Sequence, residues 1–252
     1  MRQRLVVGNW KMHGSRAMLR EFLHKMQEMA PFTDVQMAIC PPTIYLHEAQ
    51  FLRDEFGLSA IALGAQDVSA VNSGAYTGQI SAVMLREQGC QYVIVGHSER
   101  RQYLHETNEE VVQKAIRARE AGLMPIVCVG EGLDVYQAQQ TQAFIVAQLD
   151  PLISAIQSNE LDRCVVAYEP IWAIGTGLAA TPAYASQVHG FIREQFAKVN
   201  SIFSQQLTIL YGGSVKPDNA AQLFHAPDID GGLIGGASLQ PAEFMSICKA
   251  MR

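Results

Sequence analysis

The chain has 252 residues, 48% of them apolar and 17% charged, with a net charge of −5. That is enough apolar material for a large core and a length that suits one α/β barrel, while an acidic chain without a Lys/Arg cluster is a poor match for a nucleic-acid partner. No run of eighteen apolar residues occurs, so no membrane-spanning helix is expected. Leu5-Val6-Val7, after Arg2 and Arg4, is too short for the apolar core of a signal peptide. The five cysteines are odd in number and contain no Cys-x-x-Cys pair, which points to buried free thiols in a reducing compartment, the cytoplasm.

Eight short apolar runs read as buried strands: residues 5–10, 35–40, 60–64, 92–96, 125–129, 164–168, 207–211 and 230–234. Segments of helical period lie between them. Leu19, Phe22, Leu23 and Met26 fall on one face, as do Tyr184, Val188, Phe191 and Ile192. Thr181-Pro182 has the form of an N-cap followed by proline in the first turn. Thr107 and Glu110 have capping-box spacing, and Gly89 and Gly122 suit the position just past a helix end. Eight strand–helix alternations without a linker or low-complexity run predict a single (β/α)8 barrel over residues 1–252, of eight parallel strands ringed by helices.

In such a barrel the chemistry sits at the carboxyl ends of the strands. The first run leads to Asn9, Trp10 and Lys11, and strand alternation puts Asn9 and Lys11 on one face. The fourth run leads to His97, and the sixth to Glu169 just before Pro170, which cannot continue a ladder. Each has a plain structural alternative: a surface lysine, a satisfied core histidine, a buried structural carboxylate with a packing loop. What favours chemistry is that all three face one mouth. Ile171, Trp172 and Ile174, followed by Gly175 and Gly177, form an apolar segment with glycines that suits a water-excluding lid. The seventh and eighth runs lead to Gly212-Gly213-Ser214 and Gly235-Gly236, where barrels of this type hold phosphate on backbone N–H groups.

Asn9-Trp10-Lys11, the runs 96–101 and 167–177, Tyr211-Gly212-Gly213-Ser214, Gly235-Gly236-Ala237-Ser238, and the stretches 64–67 and 74–78 together resemble the triosephosphate isomerase family, in order and over essentially the whole chain. The base, neutral-imidazole and closing-loop roles are that family's own worked pattern. The resemblance implies a TIM barrel that interconverts D-glyceraldehyde 3-phosphate and dihydroxyacetone phosphate. It implies Glu169 as base, His97 as neutral polarising imidazole, and Lys11 as the cation facing phosphate and enediolate. Asn9 orients the substrate, and Gly175, Ser214, Gly235 and Gly236 offer N–H groups to the phosphate. Glu99 is a neighbour of the site, and Ile174 with Leu233 clamps apolar surface over the base. No metal or organic cofactor is implied. The resemblance also implies a homodimer through residues 65–80, with Thr77 reaching the other subunit's site. One departure is Gln79, where the family usually has a Glu that pairs with the residue matching Arg100 across the interface; that ion pair is therefore in doubt.

The alternatives to isomerisation are a phosphate-binding aldolase forming a Schiff base on Lys11, and a barrel retained only for binding.

Overall fold

The computed structural model describes residues 2–29, 35–174 and 180–251. The eight strands are β1 (Leu5–Asn9), β2 (Gln36–Cys40), β3 (Ile61–Ala65), β4 (Cys90–Val95), β5 (Met124–Val129), β6 (Val165–Tyr168), β7 (Thr208–Tyr211) and β8 (Gly231–Ile234). Each runs parallel to the next, and β8 pairs with β1, so the sheet closes on itself as a (β/α)8 barrel.

Period-2 alternation divides the core in two. Leu5, Val7, Ala38, Cys40, Ile94, Ile126, Cys128, Val165, Ala167, Leu210 and Leu233 form the barrel interior. Val6, Met37, Val93, Val127, Val166 and Ile209 face outward and pack with helix residues such as Leu19, Phe22, Val188 and Ile192. Following the inward register to the strand end, or one residue past it, gives the layer at the mouth. Asn9 follows Leu5 and Val7, Glu169 follows Val165 and Ala167, Gly212 follows Leu210, and Gly235 follows Leu233.

The helix signals hold. Thr181 caps the helix Pro182–Ala197, and its side chain accepts from the Tyr184 N–H. Thr107 and Glu110 close a complete capping box on the helix Asn108–Glu120. Gly89 and Gly122 adopt φ of +74° and +80°, the left-handed turn-off that glycine takes without strain. The five cysteines are free and buried. No helix among the described residues is long and apolar enough to cross a membrane.

Strand limits differ from expectation by one or two residues, and the first difference matters. β1 stops at Asn9, not Trp10, and Lys11 turns to a left-handed φ of +50°. The Lys11 N–H bonds the Asn9 side-chain oxygen at 3.0 Å, and the Gln66 amide takes the Lys11 carbonyl at 2.8 Å. Those two bonds end the ladder, so Lys11 reaches the mouth from a turn and not by strand alternation.

The mouth is also narrow between β5 and β6. A Cβ on Gly130 would collide with the Glu169 carbonyl oxygen, which is fixed backbone. Gly130→Ala is expected to cost at least about 2 kcal/mol, as overpacking against backbone does. Gly57→Ala, at φ +67° with open space around it, should cost about 1–2 kcal/mol from strain alone. Urea midpoints of the two variants test this; equal losses would contradict it.

Candidate active site

Glu169 is the most constrained polar group at the mouth. Its side chain is only 3% exposed, and a carboxylate taken out of water needs partners. It has two: the His97 Nε2 at 2.9 Å and the backbone N–H of Ser98 at 2.9 Å. Burial pushes the carboxyl pKa up, but the His97 ring, the Ser98 N–H and the Lys11 ammonium outweigh it, and the net shift is downward. Glu169 is therefore an ionised base at neutral pH.

His97 caps the helix Ser98–Leu104, its Nδ1 accepting from the Glu99 N–H at 3.3 Å. With Nδ1 occupied as an acceptor, the neutral ring carries its proton on Nε2, facing Glu169. Burial opposes protonation of His97, yet the Glu169 carboxylate, helped by Glu99, raises its pKa above the ordinary value in this resting arrangement. The resemblance implies a neutral His97; burial and Lys11 work for that, and the resting carboxylate contact works against it.

Lys11 Nζ lies 2.6 Å from Glu99 Oε1, which gives the inward cation its counter-ion. Gly212 makes room for the base: a Cβ there would stand 2.9 Å from Glu169 Cγ. A side chain at that position would crowd the Glu169 methylenes.

A cavity of about 650 Å³ opens over these groups. Asn9, Lys11, His97, Glu169, Ile174, Ser214, Leu233, Gly235 and Gly236 all line it, so the structure brings nine of the residues singled out from the sequence to one place. Glu99 stands beside it through Lys11. Gly175 lies outside the described residues, as does the segment 175–179 of the expected lid. The pairs Gly212-Gly213 and Gly235-Gly236 present backbone with little side-chain cover to the cavity, an arrangement by which an acidic chain can hold an anion without a basic patch.

A family model described as triosephosphate isomerase matches residues 4–251. The chain belongs to the triosephosphate isomerase family. The triosephosphate isomerase of Herminiimonas arsenicoxydans is 52% identical over 250 residues, which is 99% of this chain and 100% of that one. Those of Stenotrophomonas maltophilia and Xanthomonas campestris pv. campestris are each 50% identical over 250 residues, 99% of this chain and 98% of theirs.

Three contributors to this triosephosphate isomerase site escape sequence reading. The Ser98 N–H that holds Glu169 is backbone and leaves no signature beyond the helix start. Gln66 fixes the Lys11 turn across two strands. Glu131 is fully buried, and its Oε1 accepts from Trp172 Nε1 at 2.9 Å and Tyr168 Oη at 3.0 Å. The sequence hint of Glu131 is a charge two residues past the fifth apolar run.

Glu169→Gln removes the carboxylate that raises the His97 pKa and leaves burial in control. NMR titration of the unliganded variant should place His97 below about 6.5, the ordinary value, whereas the parent lies above it. A His97 pKa still raised in the variant would contradict this account.

Proposed function

We propose that this chain, as a triosephosphate isomerase, interconverts D-glyceraldehyde 3-phosphate and dihydroxyacetone phosphate in glycolysis and gluconeogenesis through the residues that line the mouth. The observation that carries the residue roles is one buried, ionised carboxylate, Glu169, placed against the imidazole N–H of His97 in a glycine-walled cavity. On binding dihydroxyacetone phosphate, Glu169 leaves the Ser98 N–H and takes a proton from the hydroxymethyl carbon. The electron pair moves onto the carbonyl oxygen, and the enediolate forms. His97 Nε2–H polarises that oxygen and passes its proton to it, then recovers a proton from the neighbouring hydroxyl. Glu169 returns its proton to the former carbonyl carbon, and the aldose results. Every proton is accounted for, and no redox partner is needed. Lys11 offsets negative charge on phosphate and enediolate, a contribution that grows as water is excluded. Ser214, Gly235 and Gly236, with Gly175, hold the phosphate, Asn9 orients the substrate, and Ile174 with Leu233 covers the base. The ion pair on Lys11 does not favour the Schiff-base alternative, which needs a free amine.

The chain works as one domain and as a homodimer in the cytoplasm. Residues 72–79 are all exposed, Thr77 and Tyr76 among them, on a loop whose ends are tied by Ser69 N–H to the Ile80 carbonyl at 2.8 Å. Met12, Ile44, Val83, Met84, Tyr103 and Leu104 add exposed apolar surface, the composition of a surface that another copy covers. Gln79 does not leave Arg100 without a carboxylate: within the chain Arg100 pairs with Asp67 at 2.7 Å and Glu106 at 2.6 Å.

Glu169→Gln should retain affinity for inorganic phosphate or a phosphate-bearing analogue and lose about 10²–10⁴-fold in turnover, the scale of a positioned base. A coupled assay with near-parental turnover would overturn the assignment. For the dimer, sedimentation at assay concentration should show a two-chain species. A fully active single chain would remove the role given to residues 65–80.

A further inference from the structure

We propose that Arg101 is a positioning residue for the isomerisation, clamping the peptide unit that aims His97 into the mouth. This rests on the reading of His97 given above as the polarising group.

His97 stands at the wrong parity for its task. In β4, Tyr92 and Ile94 face the barrel interior while Val93 and Val95 face the helices. Simple alternation would therefore turn residue 97 outward. Gly96 breaks that alternation with a φ of +67°, and a Cβ there would lie 2.7 Å from the Val111 methyls and 2.9 Å from Arg101 Nη2. The turn delivers His97 to the cavity, but it also takes the Gly96 carbonyl beyond the last β4–β5 register pair, Val95 with Val127.

Arg101 supplies the missing partner. Its Nε donates to the Gly96 carbonyl at 2.8 Å and its Nη2 to the Cys128 carbonyl at 3.1 Å. Its Nη1 donates to Asn108 Oδ1 at 2.7 Å, and the Asn108 amide is tied in turn to the Ala147 carbonyl at 3.0 Å. One planar fork thus fastens the end of β4, the end of β5 and the start of the helix Asn108–Glu120. The Gly96 carbonyl belongs to the same planar peptide unit as the His97 N–H. Holding that oxygen fixes the direction in which the His97 Cα leaves the turn. Lysine has one nitrogen and cannot reach three acceptors in a plane. A small misplacement of a reacting group costs rate far more than binding.

The test compares Arg101→Lys and Asn108→Ala with the parent, using kcat and KM for glyceraldehyde 3-phosphate and the His97 imidazole ¹⁵N resonances with 2-phosphoglycolate bound. Arg101→Lys should lose about 10- to 100-fold in kcat, with KM within about 3-fold and displaced His97 resonances. Asn108→Ala loses a single anchoring bond of the fork and should lower kcat about 2- to 10-fold, the scale of one hydrogen bond. Unshifted His97 resonances in a folded Arg101→Lys overturn the clamp whatever the rate. If Arg101→Lys does not fold, Asn108→Ala decides, and parental kcat there overturns it. Failure of the underlying reading looks different: parental turnover in His97→Gln would remove the polarising role, while the resonances in Arg101→Lys would still judge the clamp.

Discussion

A carboxylate held ionised while almost wholly buried is the constraint from which the rest of the mouth follows. Left unpaired in a site this dry, Glu169 would neutralise or cost several kcal/mol. Its two resting partners, His97 Nε2 and the Ser98 N–H, both come from the end of β4. Glu169 itself ends β6. The carboxylate must therefore reach across β5, and the backbone there must come close. Gly130, with no Cβ to strike the Glu169 carbonyl, permits that approach. Gly212 on the other side leaves the Glu169 methylenes uncrowded. The closed barrel earns its place here, because it brings sequence-distant strand ends to one rim in fixed register.

The same contact couples the titration of base and acid. While Glu169 rests on His97, each partner favours the charged form of the other. Without that contact, His97 would be left with burial, Lys11 and a helix N-terminus, which favour neutral imidazole, and with Glu99, which opposes them. The resting contact therefore keeps the carboxylate ionised, and in the proposed function its loss readies the imidazole to donate from Nε2. Lys11 is a positive side chain that acts on both groups, and it is itself held by Glu99. In the proposed function the phosphate falls mainly to backbone N–H groups, which suits a chain whose net charge is −5.

Much of this was legible in the sequence because period-2 alternation continues past the strand ends. Asn9 and Glu169 sit where the inward register puts them, and both glycine pairs follow the strands that the pattern assigns. Lys11 was placed in the mouth by the same rule, yet it arrives there through a left-handed turn held by Asn9 and Gln66. His97 violates the rule outright, and Gly96 corrects it. What the sequence does not disclose is contact made by backbone or through long-range partners. The Ser98 N–H, the Gln66 bridge and the Glu131 anchor depend on segments that only the closed barrel brings together.

The claim that Glu169 carries a proton between two carbons makes a direct demand on isotopes. Glyceraldehyde 3-phosphate turned over in D2O should give dihydroxyacetone phosphate partly labelled at the hydroxymethyl carbon, with no more than one deuterium from each turnover, because a protonated carboxylate exchanges with solvent before it returns its proton. Proton NMR of the product reads this directly. Glu169→Gln should lose turnover and labelling together; a variant that forms product and labels its hydroxymethyl carbon at the parental rate would contradict the account.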